Sequence, residues 1–154
     1  LISLRINSAE RQLDVPDHEL LLDTLRERLG LFSVREGCGV GACGTCTVLL
    51  DGRPASSCLL FTSRLEGHEI MTSEGLGGEQ NPARVQRAFI EAAGFQCGYC
   101  TPGFVLTVQA LVEEHPNPTE EQIKEYLAGN LCRCGAYPNI LEAIKSMYAV
   151  ASGR

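Results

Sequence analysis

Eight cysteines, set in two unlike quartets, constrain this chain more than any other feature. Cys38, Cys43 and Cys46 form C-x4-C-x2-C, and Cys58 follows twelve residues later. That is the plant-type spacing for a [2Fe–2S] cluster, in which four thiolates hold two irons. Cys97 and Cys100 form C-x2-C, and after a long gap Cys132 and Cys134 form C-x-C. From spacing alone this second set suits an iron–sulfur cluster and a structural zinc equally, because zinc also favours four thiolates. An even cysteine count admits disulfides as a weaker third reading. Against it stand an adequate apolar content and an N-terminus without the basic-then-apolar pattern of a signal peptide.

Four glycines interleave with the first three cysteines between Gly37 and Cys46. A loop wrapped around a compact cluster needs positive φ angles and close backbone approach, and glycine permits both. Its N–H groups can then face the sulfurs and stabilise the charge gained on reduction. Gly39, Gly41 and Gly44 also satisfy G-x-G-x-x-G. The dinucleotide fingerprint requires a strand before it and a helix after it. Here the order is reversed, so that reading is rejected.

The sequence divides into halves of different character. Leu1 to Ile6 and Gln12 to Val15 read as strands joined by a turn at Asn7-Ser8. Asp17 is the expected N-cap of a helix carrying Leu21, Leu22, Leu25 and Leu29 on one face, with Gly30 as its stop. Thr47 to Leu50 is β-rich, Asp51-Gly52 signals a hairpin, and a further short strand is expected over His68 to Met71. The turn-rich stretch from Ser73 to Pro82 reads as a linker. Beyond it four helices are expected. Pro82 opens one with Val85, Phe89 and Ala93. Thr101 caps a second with Pro102 at its first position. Thr119 and Gln122 form a capping box for a third, and Pro138 starts the last. The predicted fold is α+β, with a β-grasp ferredoxin-like domain over residues 1–76 and a helical domain over 77–154.

The 154 residues carry a formal net charge of -6, which argues against nucleic-acid binding. No stretch reaches the eighteen or so apolar residues of a membrane span. The chain begins at Leu1 without an initiator Met, so the residues before it are left open. Thiols kept as metal ligands fit a reducing cytoplasm, with a periplasmic location through a partner or a removed signal as the alternative.

Three segments together resemble a known family: Glu36 to Val48, Gln96 to Gly103, and Asn130 to Tyr137. Their order and spacing are similar to the small iron–sulfur subunit of the molybdenum hydroxylases, the xanthine oxidase and carbon monoxide dehydrogenase family. The resemblance covers essentially the whole chain and implies iron at the second site. It implies one [2Fe–2S] cluster on Cys38, Cys43, Cys46 and Cys58, and another on Cys97, Cys100, Cys132 and Cys134. It further implies that Gln96 and Cys134 contact a molybdopterin cofactor held by a large partner subunit. Electrons would leave molybdenum through the second cluster, then the first, for an FAD subunit or a cytochrome or quinone acceptor. Such enzymes oxidise a C–H bond of a heteroaromatic ring or aldehyde, with water supplying the oxygen. The chain itself is expected to transform no substrate. A free-standing two-cluster carrier is the alternative.

The departures are small. Val40 and Ala42 stand where many relatives carry polar residues, Thr45 where alanine is common, and Ala136 where glycine is frequent. His18, His68 and His115 read as surface residues, Tyr99 and Tyr137 as packing residues. Arg133, between two ligands, reads equally as a charge partner of the cluster and as a surface ion pair.

Overall fold

The computed structural model describes residues 1–152, with side chains through Tyr148; the last residues of the expected 77–154 domain lie outside it. Strands β1 (Ile2–Ile6) and β2 (Ala9–Leu13) form an antiparallel hairpin pairing Ile6 with Ala9. Asn7 and Ser8 turn it with φ of 50° and 67°, the two positive angles that a tight two-residue turn demands. A turn this short starts β2 three residues before the expected Gln12. Strands β3 (Thr47–Leu50) and β4 (Arg53–Ser56) form a second hairpin about Asp51-Gly52. Strand β5 (Glu69–Met71) then enters the middle, parallel to β1 and antiparallel to β3. The sheet order is β2-β1-β5-β3-β4, a mixed β-grasp sheet as predicted.

The expected first helix forms, with a different start. Helix α1 spans Leu21–Asp23 and continues as a π-helical stretch, Thr24–Arg28. Asp17 does not cap it. The preceding residue is Leu20, whose side chain makes no cap bond. The free helix end is satisfied by tertiary structure instead: Leu21 N–H donates to the Leu60 carbonyl, and Thr62 N–H to Glu19. Gly30 closes the helix at φ +66° with its N–H on the Arg26 carbonyl.

Of the expected linker, Ser73–Leu76 forms a short helix, α2. Helices α3 (Arg84–Glu91), α4 (Thr101–Glu114), α5 (Glu120–Tyr126) and α6 (Tyr137–Ser152) follow. The Thr119–Gln122 capping box is present at α5. At α3 the first helical residue is Arg84, beyond Pro82, and Gln86 Oε1 accepts the Ala83 N–H. At α4 the cap position is taken by Cys100, which leaves Thr101 inside the first turn with its buried hydroxyl unpartnered. Among the described residues no helix is long and apolar enough to cross a membrane.

Strand β3 explains how the halves join. Its residues alternate in direction, yet Thr47, Val48 and Leu49 are all buried. Val48 faces the core of the first half with Leu4, Leu21, Leu25 and Ile70. Leu49 faces the other way, into a small cluster with Leu106 and Ala110 of α4. The remaining helical core gathers Phe89, Phe104, Leu111, Ile140 and Ile144. Helix α4 therefore lies against the sheet on the face opposite α1.

At the junction a Cβ on Gly44 (φ +71°) would stand 2.4 Å from the Gly129 carbonyl oxygen, whereas one on Gly52 (φ +80°) meets nothing within 4 Å. Gly52→Ala should thus cost only the backbone strain, about 1–2 kcal/mol. Gly44→Ala should lower the thermal midpoint clearly further, because backbone must move. Equal midpoints for the two variants would contradict a tightly packed junction.

Candidate metal centres

The loop between Gly37 and Cys46 crosses from the end of the first helix to β3, and it carries three thiols. Gly39, Gly41 and Gly44 all adopt positive φ, between 67° and 75°. This turns the Val40 and Ala42 N–H groups onto Cys38 Sγ at 3.4 and 3.2 Å. The fourth thiol, Cys58, sits on a 3-10 turn (Ser57–Leu59) directly after β4. Ser57 seals it there, donating to the Cys46 carbonyl through both N–H and hydroxyl.

In the helical half Cys97 lies in the turn before α4, and Cys100 is the α4 cap residue. Cys132 and Cys134 lie in the loop between α5 and α6. Tyr99 N–H reaches Cys97 Sγ at 3.5 Å, and Ala136 N–H reaches Cys132 Sγ at 3.4 Å. Tyr137 does more than pack: its hydroxyl accepts the Cys132 N–H at 2.8 Å, and its ring meets Phe104 edge-on.

Within each quartet the thiols meet two and two. Cys38 lies against Cys43, and Cys46 against Cys58. Cys97 lies against Cys134, and Cys100 against Cys132. Cys58 also feels Cys38, while Cys100 feels Cys97, so each quartet is one constellation. Each has an inner pair that is buried, Cys46 with Cys58 and Cys100 with Cys132; of the outer thiols Cys38, Cys97 and Cys134 are exposed and Cys43 is half-buried. Pairing fits a [2Fe–2S] cluster, in which each iron takes two thiolates and bridging sulfide supplies the rest. Zinc in a structural site asks for four ligands around one ion.

Burial and backbone N–H groups pull the thiols in opposite directions. N–H groups of Val40, Ala42 and Cys43 draw the Cys38 thiol down to about 6. The Tyr99 N–H, with Cys134, lowers Cys97. Burial pushes Cys58 up to about 11 and Cys100 up to about 12. Burial also works to raise Cys132, but N–H groups of Ala136, Cys134 and Gly135 with the Cys100 thiol outweigh it.

The two constellations share a cleft of about 410 Å³, lined by Cys43, Thr45, Cys97, Cys100, Cys132 and Arg133. Leu131, adjacent to Cys132, donates its N–H to the Cys43 carbonyl at 2.8 Å. Asn130 is 5% exposed; it donates to the Gly44 carbonyl at 3.1 Å and accepts from the Thr107 hydroxyl at 2.8 Å. Arg35 and Tyr99 clamp the opposite edge. The Arg35 guanidinium donates to the Gly98 and Tyr99 carbonyls and lies over the Tyr99 ring at 5.3 Å, while Tyr99 OH returns a bond to the Glu36 carbonyl. Arg35 had no motif to mark it in the sequence, because its partners are backbone carbonyls sixty-odd residues away.

Gln96 and Cys134 are both exposed and adjoin, the Gln96 Nε2 donating to the Cys134 carbonyl at 3.1 Å. The three histidines lie apart from the thiols. His68 pairs with Asp51 at 2.6 Å, and His115 packs edge-on to Tyr126.

Residues 4–73 match the 2Fe-2S iron-sulfur cluster binding domain, and residues 72–145 match the [2Fe-2S] binding domain. The chain is similar to the nicotinate dehydrogenase small FeS subunit of Eubacterium barkeri, with 43% identity over 149 residues, 97% of this chain and 94% of that one. It superimposes on quinoline 2-oxidoreductase from Pseudomonas putida with a TM-score of 0.91 and 38% identity, covering 99% of this chain and 96% of that one. It also superimposes on the aldehyde oxidoreductase of Desulfovibrio desulfuricans, with a TM-score of 0.93 and 37% identity, covering 99% of this chain but spanning only 17% of that larger one.

The approach to the first loop carries one ionisable anchor. Glu74 accepts the Ser33 N–H at 2.8 Å and bonds the Ser33 and Thr72 hydroxyls. Burial works to raise its carboxyl, but the Ser33 and Thr72 bonds outweigh it and hold it below the ordinary 4.5. A depressed carboxylate stabilises the fold above its unfolded value and loses that contribution as pH falls through the folded one. Glu74→Gln should therefore lower the thermal midpoint at pH 7, and the gap to the native chain should close as pH falls below the ordinary 4.5. A gap that persists unchanged in acid would show that the carboxylate charge is not what anchors Ser33.

Proposed function

Because this chain belongs to the family of small iron–sulfur subunits of the molybdenum hydroxylases, we propose that it carries electrons from a molybdopterin centre in a large partner subunit towards a flavin subunit or another acceptor. It is a component of an oxidoreductase and binds two [2Fe–2S] clusters. When bound, each cluster takes up and releases one electron.

In this reading Cys38, Cys43, Cys46 and Cys58 hold the N-terminal cluster, and Cys97, Cys100, Cys132 and Cys134 the C-terminal one. The observation that carries it is the joint between them. Leu131 N–H on the Cys43 carbonyl links a residue beside one ligand to another ligand's own backbone, and Asn130 locks that link from behind. Two redox stations so tied form a relay, whereas a carrier working alone needs only one.

The chain's residues have distinct tasks. N–H groups of Val40, Ala42, Tyr99 and Ala136 face the ligand sulfurs and stabilise negative charge there. Gln96 braces the exposed Cys134 backbone, the point proposed to meet the pterin. The open Cys38 side, beside the exposed Val40, is the proposed exit. The partner's reaction, in this reading, is oxidation of a C–H bond in a heteroaromatic ring or aldehyde.

Metal and sulfide analysis should give about four irons and four sulfides per chain and no zinc. Cys58→Ser should damage the N-terminal cluster while substrate still reduces molybdenum in the assembled enzyme. Failure of molybdenum to reduce in that variant would reverse the proposed order. A native chain that purifies as a stable monomer with both clusters and no large subunit would favour the free-standing carrier.

A further inference from the structure

Thr45 lies between Cys43 and Cys46, next to the second and two residues from the first, and its side chain is turned inward. It is 6% exposed, and its hydroxyl stands 2.6 Å from Cys43 Sγ. Its backbone carbonyl accepts the Arg35 N–H, which fixes the residue between the two cluster loops. Gly37 leaves the room for this contact. A Cβ there would stand 2.5 Å from the Thr45 hydroxyl oxygen and 2.8 Å from Cys43 Sγ. Cys43 and Thr45 both line the cleft shared with Cys97, Cys100 and Cys132.

While Cys43 is a thiol, either atom of this contact can donate. With the sulfur bound to iron as a thiolate, only the Thr45 hydroxyl has a proton to give. Every other hydrogen bond described to a ligand sulfur comes from a backbone N–H, which no ordinary substitution removes. A donor to a ligand sulfur strengthens as that sulfur becomes more negative, so it favours the reduced state and raises the potential.

We propose that Thr45 is a positioning residue that sets the reduction potential of the N-terminal cluster through its hydroxyl bond to Cys43 Sγ. This rests on the ligand assignment of the proposed function. One electron enters and no bond breaks; the hydroxyl proton stays on Thr45 in both states. The bond holds the N-terminal station at a higher potential than its backbone donors alone provide. Raising that potential favours the passage of an electron from the C-terminal station to the N-terminal one.

The test is a redox titration of the assembled enzyme, following each cluster by its own EPR signal, with iron counted in every variant. Thr45→Ala and the isosteric Thr45→Val should lower the reduction equilibrium constant of the N-terminal cluster by about tenfold, which is about 59 mV for a one-electron couple. Thr45→Ser keeps the hydroxyl and should retain the native value. The C-terminal potential should hold in all three. A Thr45→Val enzyme with four irons and an unchanged N-terminal potential would overturn the proposal, as would an equal fall at both clusters. A native enzyme without four irons would sink the ligand assignment itself, and this proposal with it.

Discussion

The buried Asn130 amide joins the two halves of the molecule at the place where their cysteine loops meet. Its oxygen takes the Thr107 hydroxyl from α4, and its nitrogen gives to the Gly44 carbonyl in the first cysteine loop. A buried primary amide left unpaired costs about 1–3 kcal/mol, so both loops must return to the same register for the chain to fold. The neighbouring Leu131–Cys43 bond rides on that register. So does the close approach of Gly103, where a Cβ would stand 2.3 Å from the Gly44 carbonyl oxygen. The separation of the two thiol constellations is therefore a property of a tightly packed joint in the fold.

Much of this was legible in the residues. The cysteine spacings, the glycine loop and the Thr119 capping box are local signals, and each gave the right local structure. The strand alternation and the helical second half likewise followed from periodicity and proline position. What escaped were features decided by distant backbone. Asp17 looked like a helix cap, but the Leu60 carbonyl takes the N–H of the helix start. Thr101 looked like another cap, but Cys100 occupies that position and lies against Cys132. Arg35 and the Glu74–Ser33 anchor gave no local signal, since the partners lie many residues apart. The separate boundary expected within Ser73–Pro82 meets a short helix, α2, whose Leu76 packs against both the helical core and the junction cluster.

The site also has a grain that spacing could not show. Each quartet pairs a buried inner couple with a more accessible outer couple. Desolvation holds Cys58 and Cys100 towards the neutral thiol, while N–H groups hold Cys38 and Cys97 towards the thiolate. The outer couples differ in what they face. Cys43 turns to the shared cleft, whereas Cys134 sits beside Gln96 at the exposed edge.

The central claim is that two clusters are held as neighbours across the Asn130 joint, and magnetic resonance reads it most directly. Full chemical reduction of the enzyme should give two unpaired electrons per chain, with each EPR signal broadened or split by its neighbour at low temperature. Two signals that show no mutual interaction, or a spin count of one per chain, would contradict it.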